Sequence, residues 1–135
     1  MKRTLRPSEH ALQASIIDWW AIVCKRYGLP ELALFAIPNA AKRSFKLAAY
    51  MKAEGLRAGI PDLFLAVALG AASGIIVPGL FIELKTGRNK ASLAQIAVAE
   101  YLRKAGYDVV FAWSFDEAVT AIRGYLKHAQ SQRQP

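Results

Sequence analysis

The chain has 135 residues and a mass of 14.8 kDa, room for one domain spanning 1–135 and not for a second. Apolar residues make up 54% and charged residues 21%, which excludes intrinsic disorder. Eighteen lysines and arginines against ten acids give a net charge of +8 and a pI near 9.9, a balance that points to a polyanionic partner, nucleic acid before anionic membrane.

Residues 1–7 are basic, and no apolar stretch follows them, so they read as a flexible tail and not as a signal peptide. The spacing predicts a first helix over 8–27, opened by Pro7 and Ser8 and stopped by Gly28. Leu12, Ile16, Trp19, Val23 and Tyr27 recur at helical spacing as its buried stripe, while Glu9 and Gln13 share a different face. A short apolar strand over 32–37 ends at Pro38 and Asn39. A basic helix over 42–54 is stopped by Gly55. Two strands follow, 62–68 and 75–85, the second broken at Pro78-Gly79. The small-residue turn 70–74 between them is compatible with a hairpin. A helix over 92–105 ends at Gly106, and 107–113 is another apolar strand. Ser114 and Glu117 form a capping box that opens a last helix to about 128, and 129–135 reads as a second tail. There is no internal repeat. Helices interleaved with strands in a short chain predict an α/β sandwich around a central sheet, with a right-handed parallel crossover between 81 and 113.

Cys24 is the single cysteine, so no disulfide within the chain and no cysteine zinc cluster can form. It falls in the apolar pattern of the first helix and reads as a small buried hydrophobe. The longest apolar run, 60–69, is interrupted by Pro61 and Asp62 and is too short to span a bilayer. The expected location is the cytoplasm, with no membrane partner.

The residues that suggest chemistry are Pro61-Asp62 and Glu83-Leu84-Lys85. Glu83 and Lys85 are two apart on a predicted strand, so their side chains leave one face about 6–7 Å apart, together with Phe81. Ile82 and Leu84 face the other way. A glutamate and a lysine on an apolar strand are costly to bury without partners. Asp62 begins the preceding strand and meets Glu83 if the two strands are neighbours. Two carboxylates at one point form a hard-oxygen site for Mg²⁺ or Mn²⁺. Such an ion binds a scissile phosphate and acidifies a bound water, and a lysine beside it positions or deprotonates that water or stabilises charge on the phosphate. That is phosphodiester hydrolysis. The plainer alternative is a surface Glu–Lys pair at a strand end, with Asp62 capping a turn after proline.

On these residues the chain resembles the VRR-NUC family of the PD-(D/E)XK nuclease superfamily, in its stand-alone phage and bacterial type. The resemblance rests on Glu9-His10-Ala11-Leu12-Gln13, on the run from Gly55 through Asp62 to Leu63, on Phe81-Ile82-Glu83-Leu84-Lys85, and on Ser92-Leu93-Ala94-Gln95. It implies a restriction-endonuclease-like fold with a central mixed sheet of about four strands flanked by helices. It further implies that Asp62, Glu83 and the backbone carbonyl of Leu84 ligate Mg²⁺, with Mn²⁺ able to substitute. Lys85 is then the catalytic lysine, Glu9 completes the metal site directly or through water, and Gln95 sits at its edge. Two plainer roles stand beside these: Gln95 also completes a capping box with Ser92, and Glu9 also complements the helix dipole. The run 70–79 is longer and more apolar than the family's usual connection.

Lys42, Arg43, Lys46, Lys52 and Arg57 precede the motif, and Arg88 and Lys90 follow it. Flanking cations suit a groove that tracks phosphates. Asn39 is placed either to contact phosphate or to cap the next helix. No base-reading module is present, so recognition by backbone and shape is expected. The resemblance implies a structure-selective endonuclease acting on branched or junction DNA as a homodimer, in a bacterial or phage-infected cell. The alternative is a degenerate nuclease that binds nucleic acid without cleaving it.

Overall fold

The computed structural model describes residues 8–38, 45–71 and 74–131. Helix α1 runs Glu9–Val23. Ser8 is its N-cap, the Oγ accepting from Ala11 N at 3.0 Å, and Glu9 supplies an acid to the first turn. The helix tightens into a 3₁₀ turn, Cys24–Tyr27, and Gly28 closes it in the left-handed region at φ 69°. The expected stop is therefore in place, with the last turn 3₁₀ instead of α.

A second 3₁₀ turn, Glu31–Ala33, leads into strand β1, Leu34–Ala36. Helix α2 is Phe45–Ala53, and Asn39, Lys42 and Arg43 lie outside the described residues. Strand β2 is Leu63–Leu65, shorter than the sequence pattern implies. Two short strands, β3 (Leu69–Ala71) and β4 (Gly74–Val77), pair antiparallel as a separate small sheet. Strand β5 is Leu80–Leu84, helix α3 Leu93–Lys104, strand β6 Asp108–Ala112 and helix α4 Phe115–Ser131.

The main sheet has the order β1-β2-β5-β6. Strand β2 is antiparallel to both β1 and β5, with Leu63 opposite Ile82, and β6 runs parallel to β5 across α3. The break at Pro78-Gly79 thus separates two strands of different sheets. The sequence-level hairpin between 62–68 and 75–85 resolves into β2–β5 pairing with the β3–β4 hairpin inserted between them.

One face of the sheet carries the core. Leu63, Leu65, Ile82 and Leu84 are fully buried and cluster with Leu12, Ile16 and Trp20 of α1 and Ala118, Ile122 and Leu126 of α4. Each large aliphatic side chain so buried contributes about 1.5–3 kcal/mol. Cys24 is buried in the same cluster, as its position in the pattern implies. The buried tryptophan of α1 is Trp20, not Trp19. Both fit a helical period after Ile16, and the hydrogen bond from Trp20 Nε1 to the Glu31 carbonyl at 2.9 Å selects the former. Trp19 is half-buried beneath Phe115, with Arg123 stacked 5.6 Å from its ring centre. Trp113 is 40% exposed.

The opposite face bears Phe35, Phe64 and Phe81 in adjacent register on β1, β2 and β5, with Tyr107 beside them. Alternation along β5 puts Glu83 on this same face, one step beyond Phe81. Among the described residues, no helix is long and apolar enough to cross a membrane.

Candidate active site

The buried charged side chains among the described residues are Glu83 and Lys85, only 3% and 7% exposed. Glu83 lies on β5 between Ile82 and Leu84, opposite Phe111 of β6. Lys85 follows at the strand's end, its N–H donating to the Ala112 carbonyl at 2.8 Å, which extends the parallel pairing one residue past the strand. Asp62 sits just before β2. The register that sets Leu63 opposite Ile82 carries it to the end of β5, where its Oδ2 accepts from Leu84 N at 2.7 Å.

Glu83 Oε1 accepts from Gln95 Nε2 at 2.8 Å. Glu83 Oε2 is buried and has no hydrogen-bond partner. Burial, then the nearby Asp62 and Glu9 carboxylates, push the Glu83 carboxyl up from its ordinary 4.5 to about 8, while Lys85 pulls it down. The structure therefore brings Asp62, Glu83, Lys85, Gln95 and the Leu84 backbone to one place, as the sequence implies. Glu9 is near enough to act on Glu83 through space. Among the described residues, however, no three acidic, His or Cys side chains close into a common ligand cluster.

Gln95 completes the expected capping box and also reaches Glu83. Its N–H donates to Ser92 Oγ at 3.1 Å and its Oε1 accepts from Ser92 N at 2.8 Å, a complete capping box, while its Nε2 is left for Glu83. The second expected box differs. Ser114 Oγ accepts from Glu117 N, but the Glu117 carboxylate turns back one residue further, to the N–H of Trp113. Trp113 Nε1 donates to the Asn89 carbonyl at 2.8 Å, which ties the loop bearing Arg88 and Lys90 to the end of β6.

An open cleft of about 370 Å³ runs along α1 beside Asp62, lined by Glu9, His10, Gln13, Ala14, Ile17 and Asp18. His10, exposed, and Gln13, half-buried, thus line the same open cleft as Asp62. The available signal is the four-residue spacing of Glu9 and Gln13, off the apolar stripe. Lys46 on α2, Arg57 before β2, and Arg88 and Lys90 after β5 are all exposed.

A buried glutamate and lysine with a half-buried aspartate beside them, mounted on a mixed four-stranded sheet between helices, define a nuclease-type α/β fold. The VRR-NUC domain model matches residues 3–116. A solved structure described as a "VRR_NUC domain protein" matches with a TM-score of 0.72 and 30% identity, over 92% of each chain. No curated protein matches the chain. This chain belongs to the VRR-NUC family, within the PD-(D/E)XK superfamily. Membership in a family of nuclease domains carries with it nucleic-acid binding.

Proposed function

We propose that the protein is a metal-dependent endodeoxyribonuclease. The observation that carries this reading is the buried Glu83, with Oε2 unpartnered, beside Asp62. An unpartnered buried carboxylate oxygen facing a second carboxylate is unfavourable by itself and is matched by a hard divalent cation. Asp62, Glu83 and the Leu84 carbonyl would hold Mg²⁺, with Mn²⁺ able to substitute, and Glu9 would complete the set through water. The bound ion would supply charge neutralisation at the phosphate and an acidified water.

The chain's own residues do the rest. Leu84 N–H fixes the rotamer of Asp62. Gln95 Nε2 occupies one oxygen of Glu83 and so directs the other. Lys85 emerges from the same strand face as Glu83 and offsets charge building on the scissile phosphate. Lys46, Arg57, Arg88 and Lys90, with Asn39, Lys42 and Arg43, track the phosphate backbone without reading sequence. Branched or junction DNA is the substrate proposed, which requires a homodimer so that two sites cut paired strands.

The test is purified protein on labelled junction and duplex DNA with Mg²⁺ or Mn²⁺. Cleavage should need the ion, favour the junction, and disappear in folded Asp62→Ala, Glu83→Ala and Lys85→Ala. Salt-sensitive binding with no cleavage under either ion would instead mark a non-catalytic nucleic-acid-binding domain.

A further inference from the structure

We propose that Gly59 is a positioning residue that sets Gln95 against Glu83. This rests on the nuclease reading only in giving Glu83 its role. Gly59 has φ 87°, and a Cβ there would fall 2.6 Å from both the carbonyl carbon and oxygen of Ala94 and 3.0 Å from Gln95 N. The backbone of residue 59 therefore lies directly on the first turn of α3, at a separation that no side chain permits.

That turn has no slack. Gln95 uses its N–H and its Oε1 on Ser92 and its Nε2 on Glu83, so each polar group of the residue has a partner. Moving the turn by a few tenths of an ångström while the capping box holds shifts the amide nitrogen away from Glu83. Both atoms that the box fixes belong to the helix, whereas Glu83 belongs to β5, so the bond to Glu83 is the one that gives. The same loop runs on through Pro61 to Asp62, whose Oδ2 is bound at Leu84 N. One short segment thus braces the helix that aims Gln95 and delivers the second carboxylate.

Gly55 provides an internal control. It lies in the same loop at φ 102°, and a Cβ there meets nothing within 4 Å. Gly55→Ala and Gly59→Ala both force an L-residue into the left-handed region, and only Gly59→Ala also pushes on α3.

The experiment compares Gly55→Ala, Gly59→Ala, Gln95→Ala and the Gly59→Ala/Gln95→Ala double variant. The readouts are thermal unfolding, steady-state cleavage with Mg²⁺, and the NMR signal of the Gln95 side-chain amide in protein free of metal and DNA. Both glycine variants should lose a few degrees of Tm. Only Gly59→Ala should shift the Gln95 amide and lower kcat, about ten- to a hundredfold with KM within twofold, as for loss of an orienting partner. In the Gln95→Ala background, Gly59→Ala should lower kcat no further. The proposal is overturned if the Gln95 amide is unmoved, if kcat stays within twofold of Gly55→Ala, or if the two losses multiply. It is also overturned if Gly59→Ala does not fold while Gly55→Ala does, since Gly59 then carries the fold. Should the parent cleave no DNA, the nuclease reading falls, and the amide signal still decides the role of Gly59.

Discussion

Asp62 Oδ2 accepts a 2.7 Å hydrogen bond from the backbone N–H of Leu84, joining the start of β2 to the end of β5. An aspartate that follows proline is commonly a turn cap. Here its acceptor serves a peptide on another strand, between Glu83 and Lys85. The bond orients Asp62 and pins the Leu84 peptide, whose carbonyl is the proposed third ligand. It is charge-assisted, a class worth about 1.5–3 kcal/mol against loss of the acceptor.

Asparagine separates these two jobs at position 62. Asp62→Asn keeps an oxygen that accepts from Leu84 N and removes a negative charge facing Glu83. It should fold with stability within about 0.5 kcal/mol of the parent or above it, yet lose divalent-ion binding and cleavage. Asp62→Ala should lose both and be less stable by about 1–2 kcal/mol, because the Leu84 N–H is left unpaired. Calorimetric unfolding with Mn²⁺ titration checks both variants. Equal destabilisation by Asn and Ala would show that the bond to Leu84 does not hold the structure.

The protonation of Glu83 gives a signed pH dependence. Its carboxyl is raised from 4.5 to about 8 by burial, then by Asp62 and Glu9. The folded chain therefore binds this proton more tightly than the unfolded chain. The stability it contributes is complete below about pH 4.5 and is lost as pH rises toward 8, with a slope of at most about 1.4 kcal/mol per pH unit. Glu83→Gln should flatten this decline in metal-free protein. Saturating Mg²⁺ at pH 8 should restore stability to the parent and not to Glu83→Gln, since the ion takes the place of the proton. Parallel declines of parent and Glu83→Gln between pH 5 and 8 would mean that Glu83 is ionised throughout.

Trp20 links α1 to the chain entering β1, through its Nε1 and the Glu31 carbonyl at 2.9 Å. Trp20→Phe removes the donor and leaves a buried cavity, and should cost about 2–3 kcal/mol. Trp19→Phe, at a half-buried position beside Arg123, should cost about 1 kcal/mol or less. Urea unfolding of the two variants distinguishes the positions, and the reverse ranking would contradict the packing of α1.

The sequence was most legible where periodicity and local chemistry agree. Ser92 and Gln95 mark the start of α3 by their spacing, and the alternation of Phe81, Glu83 and Lys85 against Ile82 and Leu84 fixes which side chains share a face. It was less legible where a long-range contact decides between local equivalents. Trp19 and Trp20 satisfy the same helical period, and only the carbonyl of Glu31 separates them. Glu117 stands at the right distance from Ser114 for a box, yet the nearby Trp113 N–H captures its carboxylate. The segment 66–77 reads as the end of one long strand, a small-residue turn over 70–74 and the start of another. The fold-back at that turn is instead a separate small sheet, β3 and β4, so β2 and β5 come out shorter. The meeting of Asp62 with Glu83 was legible as a possibility. What sequence lacked was the strand order, which makes β2 and β5 neighbours.

The exposed cations are separable from the proposed catalytic set by their salt response. Lys46, Arg57, Arg88 and Lys90 contact solvent, and a lysine or arginine that neutralises one phosphate releases its condensed counterion on binding. Each alanine substitution among them should weaken DNA binding to a similar degree on unrelated sequences and reduce the slope of log K against log salt by about one. Lys85→Ala should behave differently: 7% exposed at the end of β5, it should lower cleavage far more than binding, with the salt slope almost unchanged. Fluorescence anisotropy with labelled DNA, run with Ca²⁺ in place of Mg²⁺ across a salt series, measures both quantities. A slope that drops by one for Lys85→Ala and stays fixed for Arg57→Ala and Arg88→Ala would invert the assignment, placing the phosphate contact at the buried amine and leaving the loop cations as solvated surface.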